Sequence, residues 1–277
     1  MTKVGIPLAG VIGDPVSHSR SPRLHAHWLG RCGLNGHYVP LPVAARDLEM
    51  VLQALPRAGF VGVNITVPHK EAVLDLADNV TSVARRIGAA NTLTFRPDGR
   101  IHADNTDAFG FSQSLRQAVP DWKPKAGPVT VFGAGGAARA VLVALIDKGV
   151  PDIRLLNRTR ERAEALARHI GGPITVHDWD DAPAMVADSD MVVNTTSLGM
   201  VGQPPFPDIL TTLRPGTIAT DIVYTPLETP FLLAAARQGA RTVDGLGMLL
   251  HQAVPGFERW FGALPEVDAA TRAAALG

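Results

Sequence analysis

From Ile6 onward, short β-branched runs alternate with stretches of helical period: Leu8–Ile12, then 22–33, then 37–41, then 44–56, then Val61–Val67. Such alternation predicts a parallel sheet, because neighbouring parallel strands need a crossover between them. A second series opens at Val129–Phe132 and continues through Ile153–Leu156, Ile174–Val176, Met191–Val193, Thr217–Ile222 and Arg241–Val243. Six strands spaced by helices predict a doubly wound domain. Between the two series, Val119–Pro128 is too rich in Pro and Gly to prolong a helix. The pattern therefore predicts an α/β fold: an N-terminal mostly parallel α/β domain over 1–119 and a doubly wound domain over 120–243. A C-terminal helical segment over 244–277, ending in a helix near 266–276, is expected to pack back on the first domain.

Composition narrows the classes of function. Lys plus Arg and Asp plus Glu both total 26, so no basic field exists for a phosphate backbone, and no nucleic-acid partner is expected. Cys32 is the only cysteine, which excludes disulfide, cysteine–zinc and iron–sulfur frameworks. His25 and His27 stand two apart on a predicted helix and point in different directions, so no metal site is expected. Met1–Pro7 lacks a secretory apolar stretch, and the longest apolar run, Ala140–Ile146, is far too short to span a bilayer; a cytoplasmic protein without membrane contact is expected. No Gly-x-Ser-x-Gly elbow is present, which argues against an α/β-hydrolase.

Gly133-Ala134-Gly135-Gly136-Ala137-Ala138 follows a predicted strand and opens an apolar helix, giving the Gly-x-Gly-x-x-Ala dinucleotide fingerprint. Gly133 permits the tight turn, Gly135 lets a pyrophosphate lie on the backbone, and Ala138 is small enough for close helix–strand contact. At the end of the next strand an NAD enzyme carries Asp or Glu for the ribose 2′-hydroxyl; this chain has Asn157-Arg158-Thr159 instead. A carboxylate there would repel a 2′-phosphate, whereas Arg158 offers a planar fork, Thr159 a hydroxyl and Arg162 a second cation one helical turn on. The second domain thus reads as a Rossmann domain for NADP(H).

In the first domain, strand alternation places Val63, Ile65 and Val67 on one face of Gly62–Val67 and Asn64 and Thr66 on the other, with Pro68 setting the first turn of a helix. Lys70 follows, one of 5 lysines against 21 arginines. A guanidinium cannot give up a proton at useful pH, so a titrating cation would have to be lysine. Asp104-Asn105-Thr106-Asp107 precedes a helix over Ala108–Ala118, and Ser19-Arg20-Ser21-Pro22 offers two hydroxyls at a helix start, with Ser21 as N-cap, where a carboxylate binds well.

In order along the chain, the segments His-Ser-x-Ser-Pro, Asn-x-Thr-x-Pro-x-Lys, Asn-Thr, Asp-Asn-Thr-Asp, Gly-x-Gly-Gly, Asn-Arg-Thr and Asp-Gly-Leu-Gly-Met resemble the shikimate dehydrogenase family, from Gly13 to Gln252. The resemblance implies NADPH-dependent, reversible reduction of 3-dehydroshikimate to shikimate, in the pathway to aromatic amino acids, by a monomer or homodimer. It implies that Ser19 and Ser21 hold the substrate carboxylate, that Asn64, Thr66, Asn91, Asp107 and Gln252 bind ring hydroxyls, and that Lys70 and Asp107 form the catalytic pair. For the cofactor it implies contacts from Gly133, Ala134, Gly135, Gly136 and Ala137, and from Asn157, Arg158, Thr159 and Arg162. Thr195, Thr196, Ser197 and Met200, with Gly245 and Met248, would line the nicotinamide end; Tyr224 stands there too, beside the substrate. Ala108 replaces a glycine common among relatives, and His69 falls where members vary.

Three other readings compete. A quinate dehydrogenase shares fold and site but often takes NAD, against which Asn157-Arg158-Thr159 stands. A regulatory protein that lost catalysis predicts a missing Lys70 or Asp107, and both are present. A methylene-tetrahydrofolate dehydrogenase should lack the Ser19/Ser21 pair.

Overall fold

In a computed structural model, residues 5–277 are described; the first four residues of the Met1–Pro7 segment lie outside them. The strands are β1 Leu8–Gly13, β2 His37–Pro42, β3 Phe60–Ile65, β4 Asn79–Val80, β5 Thr92–Phe95, β6 Ile101–Asp104, β7 Val129–Phe132, β8 Ile153–Leu156, β9 Ile174–His177, β10 Met191–Asn194, β11 Ile218–Asp221 and β12 Arg241–Val243. They form two six-stranded sheets. The chain divides into two compact units, one of residues 1–106 with 250–277 and one of 107–249. Sequence pattern placed the cuts at 119/120 and 243/244. The helix Asp107–Ala118 falls in the second unit because it packs on the helix Gly136–Asp147.

In the first unit the sheet order is β2-β1-β3-β5-β6-β4. β1 pairs in parallel with β2 and β3, whereas β5 runs antiparallel to both β3 and β6. The hairpin β5–β6 was not expected from the pattern. Alternation along β1 sends Ile12 into a core with Leu52, Val63, Ile65 and Leu93, and sends Ala9 and Val11 to the opposite face with Tyr38 and Trp260. Both faces are therefore covered, and burial of each large side chain contributes roughly 2–3 kcal/mol. The C-terminal segment supplies part of that cover: the indole NH of Trp260 donates to the Leu93 carbonyl at 3.1 Å and that of Trp28 to the Glu266 carbonyl at 3.1 Å.

The second unit is fully parallel, ordered β12-β11-β10-β7-β8-β9. Counted within the unit and read from the far edge this is 3-2-1-4-5-6, with the switch point between β7 and β10, where ligands of doubly wound sheets sit. Register aligns Leu156, Phe132, Asn194 and Asp221 as one row at the carboxyl ends of their strands. The loops that carry the dinucleotide motifs all leave from that row. Among the described residues no helix is long and apolar enough to cross a membrane.

Candidate active site

Within the first unit, the topology gathers the expected residues at one end of the sheet. β1, β3 and β6 run the same way, so the segments 14–21, 66–72 and 105–106 leave from the same edge, where β5 begins. Register sets Asn64 beside Thr92 and Thr92 beside Asp104. Asn91, just before β5, is buried and acts as the hub: its Oδ1 accepts from the Thr106 amide at 2.8 Å and from the hydroxyls of Thr92 and Thr106 at 3.0 and 3.1 Å. Its Nδ2 donates to Gln252 Oε1 at 3.0 Å, and its carbonyl accepts from the Ile65 amide. The backbone of Lys70 joins the same hub, since the Ala90 amide donates to the Lys70 carbonyl at 2.8 Å. Asp107 follows Thr106 directly in the chain and is buried.

Asn64 is also buried, and both hydrogens of its amide are used inside the protein, toward the Asn91 carbonyl at 3.0 Å and the Thr92 hydroxyl at 3.2 Å. Its Oδ1 accepts from the Tyr38 phenol at 2.7 Å. Only an acceptor lone pair is left for a ligand. Burial pushes the Tyr38 phenol above its usual range, opposed by a hydrogen bond from Ser21. Ser19 Oγ accepts from the Ser21 amide at 3.3 Å.

Two local expectations change. Ser21 is the first residue of the helix Ser21–Arg31 rather than its N-cap, a position taken by Arg20 without a side-chain cap. Pro68 does not start a helix: Val67-Pro68 is cis, Val67 is 68% exposed, and the helix begins only at Val73. β3 stops at Ile65, so the alternation that would have buried Val67 ends there. Instead, residues 66–72 form a turn in which buried His69 bonds the Val43 carbonyl through Nε2 at 2.7 Å, next to Lys70. Sequence reading gave His69 no part.

Within the second unit, the glycine loop and the loop after β10 meet at the switch point. Gly133 has φ of +106°, and a Cβ there would lie 2.7 Å from Thr195 Oγ1. That hydroxyl donates to the Phe132 carbonyl at 2.7 Å, closing the turn. Asn157 braces the loop from the other side: its Oδ1 accepts from the Ala134 amide at 3.2 Å and its Nδ2 donates to the Thr159 carbonyl at 2.8 Å. Arg158 and Arg162 are exposed and make no ion pair among the described residues, whereas Arg160 is tied to Glu164 at 2.9 Å and Asp178 at 2.7 Å. Ser197 and Met200 are exposed at the end of the β10 loop, and Ala137, Tyr224 and Met248 are half-buried. Gly245 is buried against the backbone of Ile222 and Val223.

Comparison with known proteins agrees with this geometry. Residues 11–93 match the model of the shikimate dehydrogenase substrate binding domain, 115–200 that of shikimate/quinate 5-dehydrogenase, and 245–275 that of the shikimate 5′-dehydrogenase C-terminal domain. The shikimate dehydrogenase (NADP(+)) of Cereibacter sphaeroides is 62% identical over 98% of this chain and 97% of its own. The chain belongs to the shikimate dehydrogenase family. Among solved members, the shikimate 5-dehydrogenase of Thermus thermophilus in complex with NADP(H) and shikimate superposes with a TM-score of 0.86 at 38% identity, covering 97% of this chain and 98% of its own. The quinate dehydrogenase of Corynebacterium glutamicum in complex with NAD superposes with 0.90 at 33%, over 97% and 98%.

The residues present fit the cofactor of such a dehydrogenase. A Cβ at Gly135 would meet no atom within 4 Å, so packing inside the protein gives no reason for glycine there. A phosphate resting on the backbone gives one. The helix Gly136–Asp147 starts without a side-chain cap, so no side chain takes up its first amides, and two guanidinium groups that make no ion pair among the described residues stand beyond β8. Besides His69, two further buried residues of this family member escaped sequence reading. Tyr38, one of only two tyrosines, lies on an edge strand interrupted by Pro40 and Pro42. Asp221 is a lone acid at the carboxyl end of an apolar strand, a signal that could have been read.

Proposed function

We propose that this chain reduces 3-dehydroshikimate to shikimate with NADPH, reversibly, in the shikimate pathway of aromatic amino acid biosynthesis. Family membership supports the reaction, and the unpaired Arg158, where an NAD enzyme carries an acid, is the observation that carries the choice of cofactor. Gly133, Ala134, Gly135, Gly136 and Ala137 would hold the pyrophosphate, Asn157, Arg158, Thr159 and Arg162 the adenosine 2′-phosphate. Thr195, Thr196, Ser197, Met200, Gly245 and Met248 would face the nicotinamide. When bound, NADPH supplies the hydride for the carbonyl carbon.

The protein's own residues handle substrate and proton. Ser19 and Ser21 bind the carboxylate, and Asn91, Thr66, Gln252 and Tyr224 orient the ring. Asn64 acts there as an acceptor, because its amide hydrogens are already used. Reduction builds negative charge on the carbonyl oxygen, which must gain a proton. Lys70 and Asp107 form the proton-handling pair, the ammonium supplying charge opposite the developing alkoxide. His69 fixes the turn that presents Lys70.

The test is a spectrophotometric assay at 340 nm with shikimate or quinate as substrate and NADP or NAD as oxidant. Turnover is expected with shikimate and NADP. Faster turnover with quinate and NAD would reassign the substrate and cofactor.

A further inference from the structure

Asp221 is 1% exposed at the end of β11, in register with Asn194 at the end of β10. Its Oδ1 accepts from the Asn194 amide at 3.0 Å and the Val223 backbone amide at 2.9 Å, and its Oδ2 accepts from the Thr229 hydroxyl at 2.6 Å. Asn194 passes the constraint onward. Its Oδ1 accepts from the Thr196 amide at 3.0 Å and the Thr196 hydroxyl at 2.7 Å, and that hydroxyl accepts from the Leu198 amide at 3.1 Å. One carboxylate thus anchors both the loop 195–200 and the loop 222–229.

We propose that Asp221 is a positioning residue for cofactor binding: its carboxylate fixes Asn194, and through Asn194 the conformation of the loop that faces the nicotinamide. The proposal rests on the reading that residues 195–200 face that end of the cofactor.

Three donors converge on the group, and a carboxylate accepts all of them without offering a hydrogen of its own. The groups facing it are Asn194 at the end of β10 and Val223 and Thr229 after β11; no charged side chain contributes. Burial lifts its pKa to about 6, against these hydrogen bonds, so around neutrality it is anionic. A buried anion held only by neutral donors is costly unless they stay in place, which makes the carboxylate a stiff organiser of the backbone around it. Thr229 is itself held, since its Oγ1 accepts from the Leu232 amide and caps the helix Pro230–Arg237.

The experiment reads backbone amide shifts of residues 195–200 in the cofactor-free protein, and the Kd for NADP+ by calorimetry, in Asp221→Ala, Thr229→Val and Thr229→Ser. Asp221→Ala should move the Thr196 and Leu198 amides and weaken NADP+ about tenfold. Thr229→Val should do both to a lesser degree, about threefold in Kd, and Thr229→Ser, which keeps the hydroxyl, should restore wild-type values. If Asp221→Ala does not fold, the Thr229 pair decides alone. Unmoved amides, or moved amides with an unchanged Kd, overturn the proposal. Adding NADP+ to the wild-type protein tests the underlying reading separately: if the Thr196, Ser197 and Met200 amides fail to respond, that reading is wrong, whatever Asp221 does to the free loop.

Discussion

Arg158 and Arg160 stand two residues apart in opposite circumstances. Arg160 is bound to Glu164 and Asp178, while Arg158 is exposed and makes no ion pair among the described residues. A charged hydrogen bond contributes roughly 1.5–3 kcal/mol, so we predict that Arg158→Ala weakens NADP+ by about 10- to 100-fold. NAD+ binding, with no 2′-phosphate to lose, should change less than about twofold, and Arg160→Ala should leave both unchanged. Calorimetric titration with the two cofactors checks this, and equal losses would remove Arg158 from the 2′-phosphate site. Lys70 invites a different measurement. A group acting only in the transition state lowers kcat with little effect on KM, so Lys70→Ala should lower kcat by about a thousandfold or more and move the KM for shikimate by less than about fivefold. A large KM effect with kcat preserved would make Lys70 a binding residue. Both residues stand out in the sequence because the chemistry proposed for them is specific to their type. Tyr38 and His69 do not, since their contributions come from contacts with residues many positions away in the chain.

Strand existence was readable in β1 and β7, which are buried on both faces, because the run of apolar residues is nearly unbroken. The hairpin β5–β6 was missed although its turn is written plainly: Arg96-Pro97-Asp98-Gly99-Arg100 separates the strands, Gly99 has positive φ, and the Arg96 amide donates to the Arg100 carbonyl at 2.9 Å. The short strands of four residues each carry too little alternation to stand out against it. The end of β3 was misread for another reason. Val67 continues the alternation in sequence, but the chain leaves the sheet after Ile65. The glycine turn after β7 shows how one residue serves a whole element. With φ of +106° and its missing Cβ facing Thr195, Gly133 cannot take a side chain without moving the β10 loop. Left-handed backbone costs a non-glycine residue about 1–2 kcal/mol before any clash. Gly133→Ala is therefore expected to lower stability by about 2–3 kcal/mol in urea unfolding and to weaken NADP+ at least tenfold. Wild-type affinity in a folded Gly133→Ala protein would show that the turn plays no part in binding.

At the scale of the whole molecule, each unit buries an ionisable group whose shifted proton affinity has no charged cause, His25 in the first and Asp221 in the second, and these two act on stability with opposite sign. In the first unit His25 is fully buried, stacked on Tyr38 with ring centroids 3.8 Å apart and edged by Trp28. Neither ring nitrogen has a hydrogen-bond partner among the described residues, and burial lowers the pKa to about 3. Between pH 6.5 and 3 the unfolded chain binds a proton there that the folded chain refuses, so stability falls as pH falls. Down to pH 4.5 this one group removes about 3 kcal/mol. In the second unit Asp221, lifted by burial to about 6, binds its proton more readily folded than unfolded, so its contribution rises as pH falls from about 6 to 4. Replacing each group isolates its share. His25→Phe keeps an aromatic ring of similar size and removes two unpaired polar atoms, so it is expected to be at least as stable as wild type at pH 7 and increasingly more stable toward pH 4.5. Asp221→Asn should show the reverse trend, losing ground to wild type over the same range by about 2 kcal/mol. Urea unfolding of the three proteins at pH 7, 5.5 and 4.5 measures both slopes. If the curves of His25→Phe and wild type stay parallel, the buried imidazole is not the group through which acid acts on the first unit, and the pair of buried Asp104 and exposed Arg259, whose carboxylate burial raises but Thr81 and Arg259 hold below its usual range, becomes the next to replace.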